Sequence, residues 1–371
     1  MDFEVLNFIP DNFINPQKRI FLGYLLSGFF IAFLWLYFFR KYTFINSLKL
    51  IFDKKVYFSK SSFVDYSLYV FNSLIMIIFS PILLSQLVIA TFIFEFMYAQ
   101  NIIEPISINY LSIFLPIIFT ICFFIVDDFS KSSFVDYSLY IFNSLIMIIF
   151  SPILLSQLVI ATFIFEFMYE QNIIEPISIN YLSIFLPIIF TICFFIVDDF
   201  SKFFVHMLMH KINFLWCFHK IHHSAEVLTP MTVFRTHPVE GVIFVLRNAI
   251  SQGAVIGIFF FISSGELSLV TVLGANLFSF IFHLLGSNLR HSHISISYGK
   301  IVEKILISPA QHQIHHSVEK KHHDKNFGVT FAIWDYFFNT LVYSQSNQKI
   351  KYGLSDEENF SRNNIFKIYL V

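Results

Sequence analysis

The feature that most constrains this chain is a run of 20 residues without a charge, residues 20–39, bracketed by Lys18-Arg19 and Arg40-Lys41. As a helix this run is about 30 Å long, which matches the hydrocarbon core of a bilayer. Further apolar runs follow, and only 13% of the 371 residues are charged, about half the fraction usual in a soluble domain. The sequence therefore predicts an all-α, multi-pass integral membrane bundle.

The charge balance and the cysteines exclude other classes of protein. A formal net charge of −1 provides no basic surface, which argues against a nucleic-acid partner. The three cysteines, Cys122, Cys193 and Cys217, make no disulfide framework, and no pair has metal-binding spacing.

A near-exact repeat dominates the first half of the chain. Residues 60–130 recur as residues 131–201, and only Val70/Ile141 and Ala99/Glu170 differ. Solenoid repeats share a pattern rather than an identity, so this indicates a tandem duplication; an error of sequence assembly would give the same pattern. We expect five regions: an N-terminal segment with one membrane helix (1–59), two copies of a membrane hairpin (60–130 and 131–201), a histidine-rich region (195–341) and a polar tail (342–371).

Each copy carries two candidate membrane spans. They cover residues 68–94 and 108–126 in the first copy, and 139–165 and 179–197 in the second. Two weaker candidates, 242–263 and 267–285, fit buried or interfacial helices as well as spans.

The charges of the loops predict an orientation. The segment 40–60 carries six Lys or Arg residues against one Asp, which assigns it to the cytoplasm. An even number of spans per copy then returns residues 198–240 and 286–371 to the same side, with thirteen of the 14 histidines. We expect a site on the cytoplasmic face. A bias towards Phe, Ile, Lys and Asn favours a bacterial inner membrane over the endoplasmic reticulum.

All 14 histidines lie at or after His206, and eight form three clusters. The clusters are HMLMH (His206, His210), HKIHH (His219, His222, His223) and HQIHH (His312, His315, His316). Helical residues four apart share a face, so each cluster directs two imidazoles into one space. Adjacent residues diverge by about 100°, so the doubled histidines predict a second metal beside the first. Neutral imidazole suits iron, zinc, copper and nickel alike.

The remaining histidines carry weaker signals. His291 and His293 in RHSH are candidates to complete the ligand set, whereas His237, His283, His322 and His323 are expected to be structural or to orient the ligands. The sequence disfavours two other functions. A transporter would place ionisable residues within its spans, where only Arg247 and His283 lie, and a zinc hydrolase needs about three ligands.

At these clusters the chain resembles the fatty acid hydroxylase/sterol desaturase superfamily of integral membrane oxygenases. The resemblance rests on HMLMH, HKIHHS, RTHPVE, SPAQHQIHHS and NFGVTFAIWDYFFNT, and covers residues 195–341. Two positions depart from the family pattern: Met207 where members often have Arg, and Asn339 where they often have Gly. Neither is an expected ligand.

The resemblance implies a non-haem di-iron centre that uses O2 to hydroxylate or desaturate a lipid C–H bond. Its implied ligands are His206, His210, His219, His222, His223, His312, His315 and His316, with a ninth from RHSH, for which we take His293 and keep His291 as the alternative. His237, Asp198, Asp199, Asn326 and Asp335 are implied as further ligands or as residues that orient the imidazoles.

Electrons would come from a separate donor, cytochrome b5-like or a ferredoxin with its reductase, because the chain has no flavin or haem-attachment motif. The lipid remains open among sterols, fatty acyl chains, sphingolipids, alkylglycerols and carotenoids. The alternative function is a non-catalytic metal-binding membrane protein or a degenerate homologue.

Overall fold

The structure, a computed structural model, describes residues 8–73, 157–171, 185–263, 268–272, 275–345 and 349–354. These residues are helical apart from loops and one short hairpin. The α-helices are α1 (Phe8–Ile14), α2 (Leu22–Leu34), α3 (Phe44–Ile51), α4 (Lys54–Tyr57), α5 (60–73), α6 (Gln157–Glu170), α7 (Leu186–Lys211), α8 (Asn213–His223), α9 (Pro238–Ile262), α10 (Leu277–Leu284), α11 (Gly299–Val302), α12 (Pro309–His315) and α13 (Ile333–Phe337). Shorter helical turns cover Trp35–Phe39, Pro230–Phe234, Ser287–His291 and Lys320–His322.

Two helices in the described residues are long and apolar enough to cross a membrane. They are α2 with its π-helical continuation, Leu22–Phe39, and α9, Pro238–Ile262, and they coincide with the runs predicted at 20–39 and 242–263. The predicted span 179–197 falls partly within α7, which continues without a break into the histidine segment. The predicted span 108–126 lies outside the described residues, as do all but residues 68–73 of the span 68–94, all but residues 157–165 of the span 139–165, and most of the duplication.

The candidate span at 267–285 is not one continuous helix. Strands β1 (Thr271–Val272) and β2 (Ala275–Asn276) pair there in an antiparallel hairpin. Helix α10 begins directly afterwards, where the Asn276 side chain accepts hydrogen bonds from two backbone N–H groups of its first turn. Its 8 residues extend only about 12 Å, so it cannot span a bilayer.

The chain divides into two compact units. The first comprises residues 1–78, 199–240 and 270–371, and contains every histidine. Its apolar core joins α2, α3 and the segment 289–296: Ala32 and Leu36 pack with Ile51 and Leu289. This packing fixes the short helical turn that ends at His291.

The second unit comprises residues 79–198 and 241–269. Helices α6 and α9 approach closely at Gly257, where a Cβ would lie 2.5 Å from the carbonyl oxygen of Ala161. Arg247 forms a buried ion pair with Asp198, with an Nη1–Oδ1 distance of 2.9 Å, and Gln252 donates to the same oxygen. The pair allows a charged residue to lie within an otherwise apolar helix.

Candidate metal centre

Four elements of the first unit bring histidines together. Helix α7 supplies His206 and His210, one turn apart, and α8 supplies the three of HKIHH. The turn Ser287–His291 supplies its last residue. Helix α12 supplies HQIHH, and its first turn is fixed by a capping box between Ser308 and Gln311 with Pro309 as the first helical residue.

Nine imidazoles form two groups, and within each group the candidate ligand atoms lie within 4.8 Å of one another. The first group is His206, His210, His219, His223 and His315, and the second is His222, His291, His312 and His316. The groups adjoin, because the ring centroids of His223 and His316 are 4.5 Å apart.

The two HxxHH helices contribute to the groups in mirrored fashion. Helix α8 gives its first and last histidine to the first group and the intervening His222 to the second. Helix α12 gives its first histidine and His316 to the second group and the intervening His315 to the first. Each group therefore draws on both helices, and consecutive histidines always belong to different groups.

The nitrogen positions in the second group fit a single ion. His291 Nε2 lies 3.1 Å from His222 Nε2 and 3.0 Å from His312 Nε2. Two nitrogens that each bind one ion at about 2.1 Å, at right angles to each other, are separated by about 3.0 Å. Three ring nitrogens thus converge at the spacing of ligands that share a metal.

Burial keeps eight of the nine imidazoles neutral, which is the form that binds a metal. Removal from water lowers the pKa of eight of the nine below the ordinary 6.5, and neighbouring imidazoles lower it further for most of them. For His315 burial lowers the pKa to about 3.

Several ring nitrogens in the two groups are buried without a hydrogen-bond partner in the described part of the chain. They are Nε2 of His210, His219, His223 and His315, Nδ1 of His312, and both nitrogens of His316. A buried polar atom without a partner costs free energy, and native structures rarely contain so many together. The residues present therefore fit two metal ions.

Three imidazoles of the first group are oriented by acceptors behind them. His206 Nδ1–H donates to the carbonyl oxygen of Phe327 and His315 Nδ1–H to that of Lys325, both at 2.8 Å. His219 Nδ1–H donates to Glu240 Oε1 at 2.9 Å. Because these oxygens only accept, the hydrogen lies on Nδ1 and leaves the Nε2 lone pair to the group.

Asp335 holds the loop that carries the first of these carbonyls. Its carboxylate accepts hydrogen bonds from the backbone N–H of Phe327 at 2.8 Å, from that of Gly328 at 2.7 Å and from the Thr340 hydroxyl at 2.6 Å. Burial raises the Asp335 pKa to about 6. The residue therefore acts on His206 through the backbone and does not touch the ring.

Asp199 and Asn326 fix the same loop. Asp199 accepts from the backbone N–H groups of residues 330–331 and from the indole of Trp334. The Asn326 amide donates to a carbonyl of α12 and to that of Val342. The sequence predicts that both side chains orient imidazoles. In the structure they hold the backbone of the loop and of α12, and their hydrogen bonds go to no imidazole.

Four other residues lie outside the groups: three of them are candidate ligands or ligand-orienting residues, and the fourth, His322, is expected to be structural. His293 Nε2 lies 2.7 Å from the carbonyl oxygen of Leu50, and His291 joins the second group instead. His237 Nδ1 accepts from a backbone N–H at the start of α9. Asp198 pairs with Arg247, and His322 Nδ1 contacts the Ser317 hydroxyl.

Sequence reasoning missed two polar contacts that support α8. Glu240 was overlooked, although RTHPVE placed it in the first turn of a helix close to the histidines. Arg235 is fully buried and donates to Ser224 Oγ at 2.9 Å, at the end of α8, and to Asp65 Oδ1 at 3.0 Å. Nothing local in the sequence pairs Arg235 with a carboxylate 170 residues away.

Known proteins match the region that carries this centre. The sequence profile of the family described as fatty acid hydroxylase matches residues 191–340, which include all nine imidazoles. Similar curated proteins are named alkylglycerol monooxygenase. The one from Caenorhabditis elegans is 29% identical over 162 residues, 44% of this chain and 29% of that protein. The one from Homo sapiens is 28% identical over 157 residues, 42% and 31% respectively.

The match thus spans less than a third of the length of these relatives. No solved structure matches the chain. The family profile and the relatives agree over the segment that builds both histidine groups, so residues 191–340 are similar to the fatty acid hydroxylase family.

Proposed function

We propose that the chain is a membrane-bound, O2-dependent di-iron oxidoreductase that hydroxylates a lipid. The observation that carries this proposal is the pair of adjoining groups of buried imidazoles. The family and the named relatives support lipid hydroxylation as the reaction. Nine nitrogen ligands exceed what a single zinc ion needs in a hydrolase.

Each group would hold one iron ion. The first position would be bound by His206, His210, His219, His223 and His315, and the second by His222, His291, His312 and His316. We assign His291 in place of His293, because only His291 points its ring nitrogen at other candidate ligands. Two iron ions bound there would supply the capacity to activate O2.

The protein's own residues would orient the ligands and exclude water. The backbone carbonyls of Lys325 and Phe327 and the carboxylate of Glu240 keep three rings in one tautomer. Hydroxylation places one oxygen atom of O2 in a C–H bond and releases the other as water, which consumes two electrons and two protons. We propose that a separate donor, cytochrome b5-like or of the ferredoxin class, supplies the electrons.

We propose that the substrate is an alkylglycerol, as the relatives' names state for those proteins. The apolar chain of such a lipid would reach the centre along α2. This candidate membrane helix packs through Ala32 and Leu36 on Leu289, two residues before the ligand His291. We further propose a multi-pass protein with the centre on the cytoplasmic face, in keeping with the basic loop at residues 40–60.

The test combines metal analysis with isotope labelling. The detergent-purified protein should contain two iron atoms per chain and, with a reductant, should transfer one oxygen atom from 18O2 to an alkylglycerol. Replacing His222 or His316 by Ala should lower bound iron and abolish the labelled product, because each removes a ligand from the second group.

His322 provides the matched control. It is also a buried histidine, but its Nδ1 contacts Ser317 and it lies outside both groups. His322→Ala should retain iron and activity. Wild-type protein that binds iron yet oxidises no lipid would favour the non-catalytic alternative, and full activity in His222→Ala would contradict the two-metal centre.

A further inference from the structure

One carboxylate lies directly behind a candidate ligand. Glu240, in the first turn of α9, is 4% exposed, and His219 is 3% exposed. The imidazole Nδ1 and the carboxylate Oε1 are 2.9 Å apart. The N-terminus of the 25-residue helix α9 favours a negative charge at this place, because its first N–H groups carry partial positive charge.

In the described residues the second histidine group has no carboxylate partner comparable to Glu240. The Nδ1 atoms of His312 and His316 are buried without a hydrogen-bond partner there, and the partner behind His222 is the neutral backbone of Arg235. In the first group, by contrast, two backbone carbonyls and the Glu240 carboxylate accept hydrogen bonds from the imidazoles. Among the described residues, only the first group has a negatively charged partner behind one of its imidazoles.

The charged residues beside the two groups also favour metal binding by the first group over the second. Arg290 precedes the ligand His291 and is 2% exposed. Its guanidinium donates to the carbonyl oxygens of Ser287 and Val329, which are neutral acceptors. A buried cation beside the second group opposes the binding of a metal cation, whereas the anion of Glu240 beside the first group favours it.

We infer that the two metal positions are unequal and that Glu240 is the positioning residue that makes them so. The first position binds a divalent ion more tightly than the second, and an iron ion there has the lower reduction potential. The inference rests on the proposed function, since it takes the two groups as two metal positions. Partners behind a ligand change metal affinity by about 10-fold to 100-fold, and we expect a difference of this size.

The test is a titration of the full-length, metal-free protein with Co²⁺, followed by the visible absorption of the bound ion. Wild-type protein should bind two ions in two resolved steps. Glu240→Gln retains an oxygen acceptor but loses the charge, and should weaken the tighter step by about 10-fold. Glu240→Ala should weaken it by up to about 100-fold. Both variants should leave the weaker step unchanged.

Glu226→Gln is the matched control, because Glu226 is exposed and the substitution should alter neither step. Circular dichroism of each metal-free variant establishes that it is folded, and Glu240→Gln carries the test if Glu240→Ala does not fold. The potentials of the iron-loaded wild type give a second readout, with two separate values expected, the lower of which rises in Glu240→Gln.

Different failures have different meanings. Two equal steps in the wild type, or equal weakening of both steps in Glu240→Gln, would overturn the inference and leave a two-metal centre in place. An unchanged tighter step in Glu240→Gln and Glu240→Ala would also overturn it. Wild-type protein that binds no Co²⁺ would instead contradict the proposed function.

Discussion

Acidification of the metal-free protein from about pH 7.5 to about pH 5.5 is expected to unfold the histidine-bearing unit. Burial lowers the pKa of eight imidazoles in the folded protein below 6.5, to about 3 for His315. The unfolded chain therefore binds protons that the folded chain does not. The stabilising contribution is present above pH 6.5 and is lost as the pH falls towards the folded pKa values.

The size of the effect follows from linkage. One pH unit below 6.5, each such imidazole favours the unfolded state by about 1.4 kcal/mol. Eight together give an upper limit of about 11 kcal/mol, since charge repulsion in the unfolded chain lowers its own pKa values. The whole free energy of unfolding of a domain is about 5–15 kcal/mol, so the loss of structure should be steep and should fall between about pH 5 and pH 6.

The assay is near-ultraviolet circular dichroism of the metal-free protein in detergent across this pH range. Loading with metal should move the transition to lower pH, because bound metal competes with protons for the same nitrogens. Metal-free protein that keeps its tertiary signal at about pH 4.5 would refute the reasoning, since eight buried neutral imidazoles cannot persist there without cost.

Three further predictions concern the loop, the sidedness and the repeat. Gly328→Ala should lower stability by about 1–3 kcal/mol and reduce bound metal, because its Cβ would lie 2.6 Å from Phe331 O and 2.8 Å from Asp335 Oδ2. Gly241→Ala, with no atom within 4 Å of its Cβ, should not destabilise, and equal thermal unfolding of the two variants would contradict this account. Single cysteines at positions 213 and 320, in a cysteine-free background, should both be protected from an impermeant thiol reagent outside intact cells, and labelling of either would refute the cytoplasmic orientation. Deletion of residues 60–130 joins Ser59 to Lys131 and restores the sequence at that junction. The deletion protein should therefore keep its membrane insertion, metal content and activity. A stable, inserted but metal-free product would show that the additional copy is required.

The positions of the histidines could be predicted where they lie on helices and less well elsewhere. Spacing of four residues placed His219 with His223 on one face of α8, as the helical period requires. The same reasoning could not choose between His291 and His293. His291 is the last residue of a short helical turn, and the next residue, Ser292, is extended, with φ −144° and ψ 162°. The rings of His291 and His293 therefore point in different directions. Spacing alone does not reveal where a helical turn stops.

Hydropathy and local sequence pattern also missed the pairing of two short strands and a contact between residues far apart in the chain. The apolar composition of residues 267–285 made this segment a weaker candidate for a span, but hydropathy does not detect the pairing of β1 with β2 there. The support of α8 by Arg235 and Asp65 depends on residues far apart in the chain. Such pairs follow from tertiary packing, which periodicity does not encode.

Because α8 and α12 each contribute histidines to both groups, a break in the chain between these two helices would divide both sets of ligands. A break anywhere between residues 224 and 308 would leave α8 on one fragment and α12 on the other. Because each group takes imidazoles from both helices, neither fragment alone would contain a full set of ligands for even one ion. Binding of two ions by a mixture of the fragments, and by neither fragment alone, would therefore report their reassociation, with the bound ions linking the two fragments.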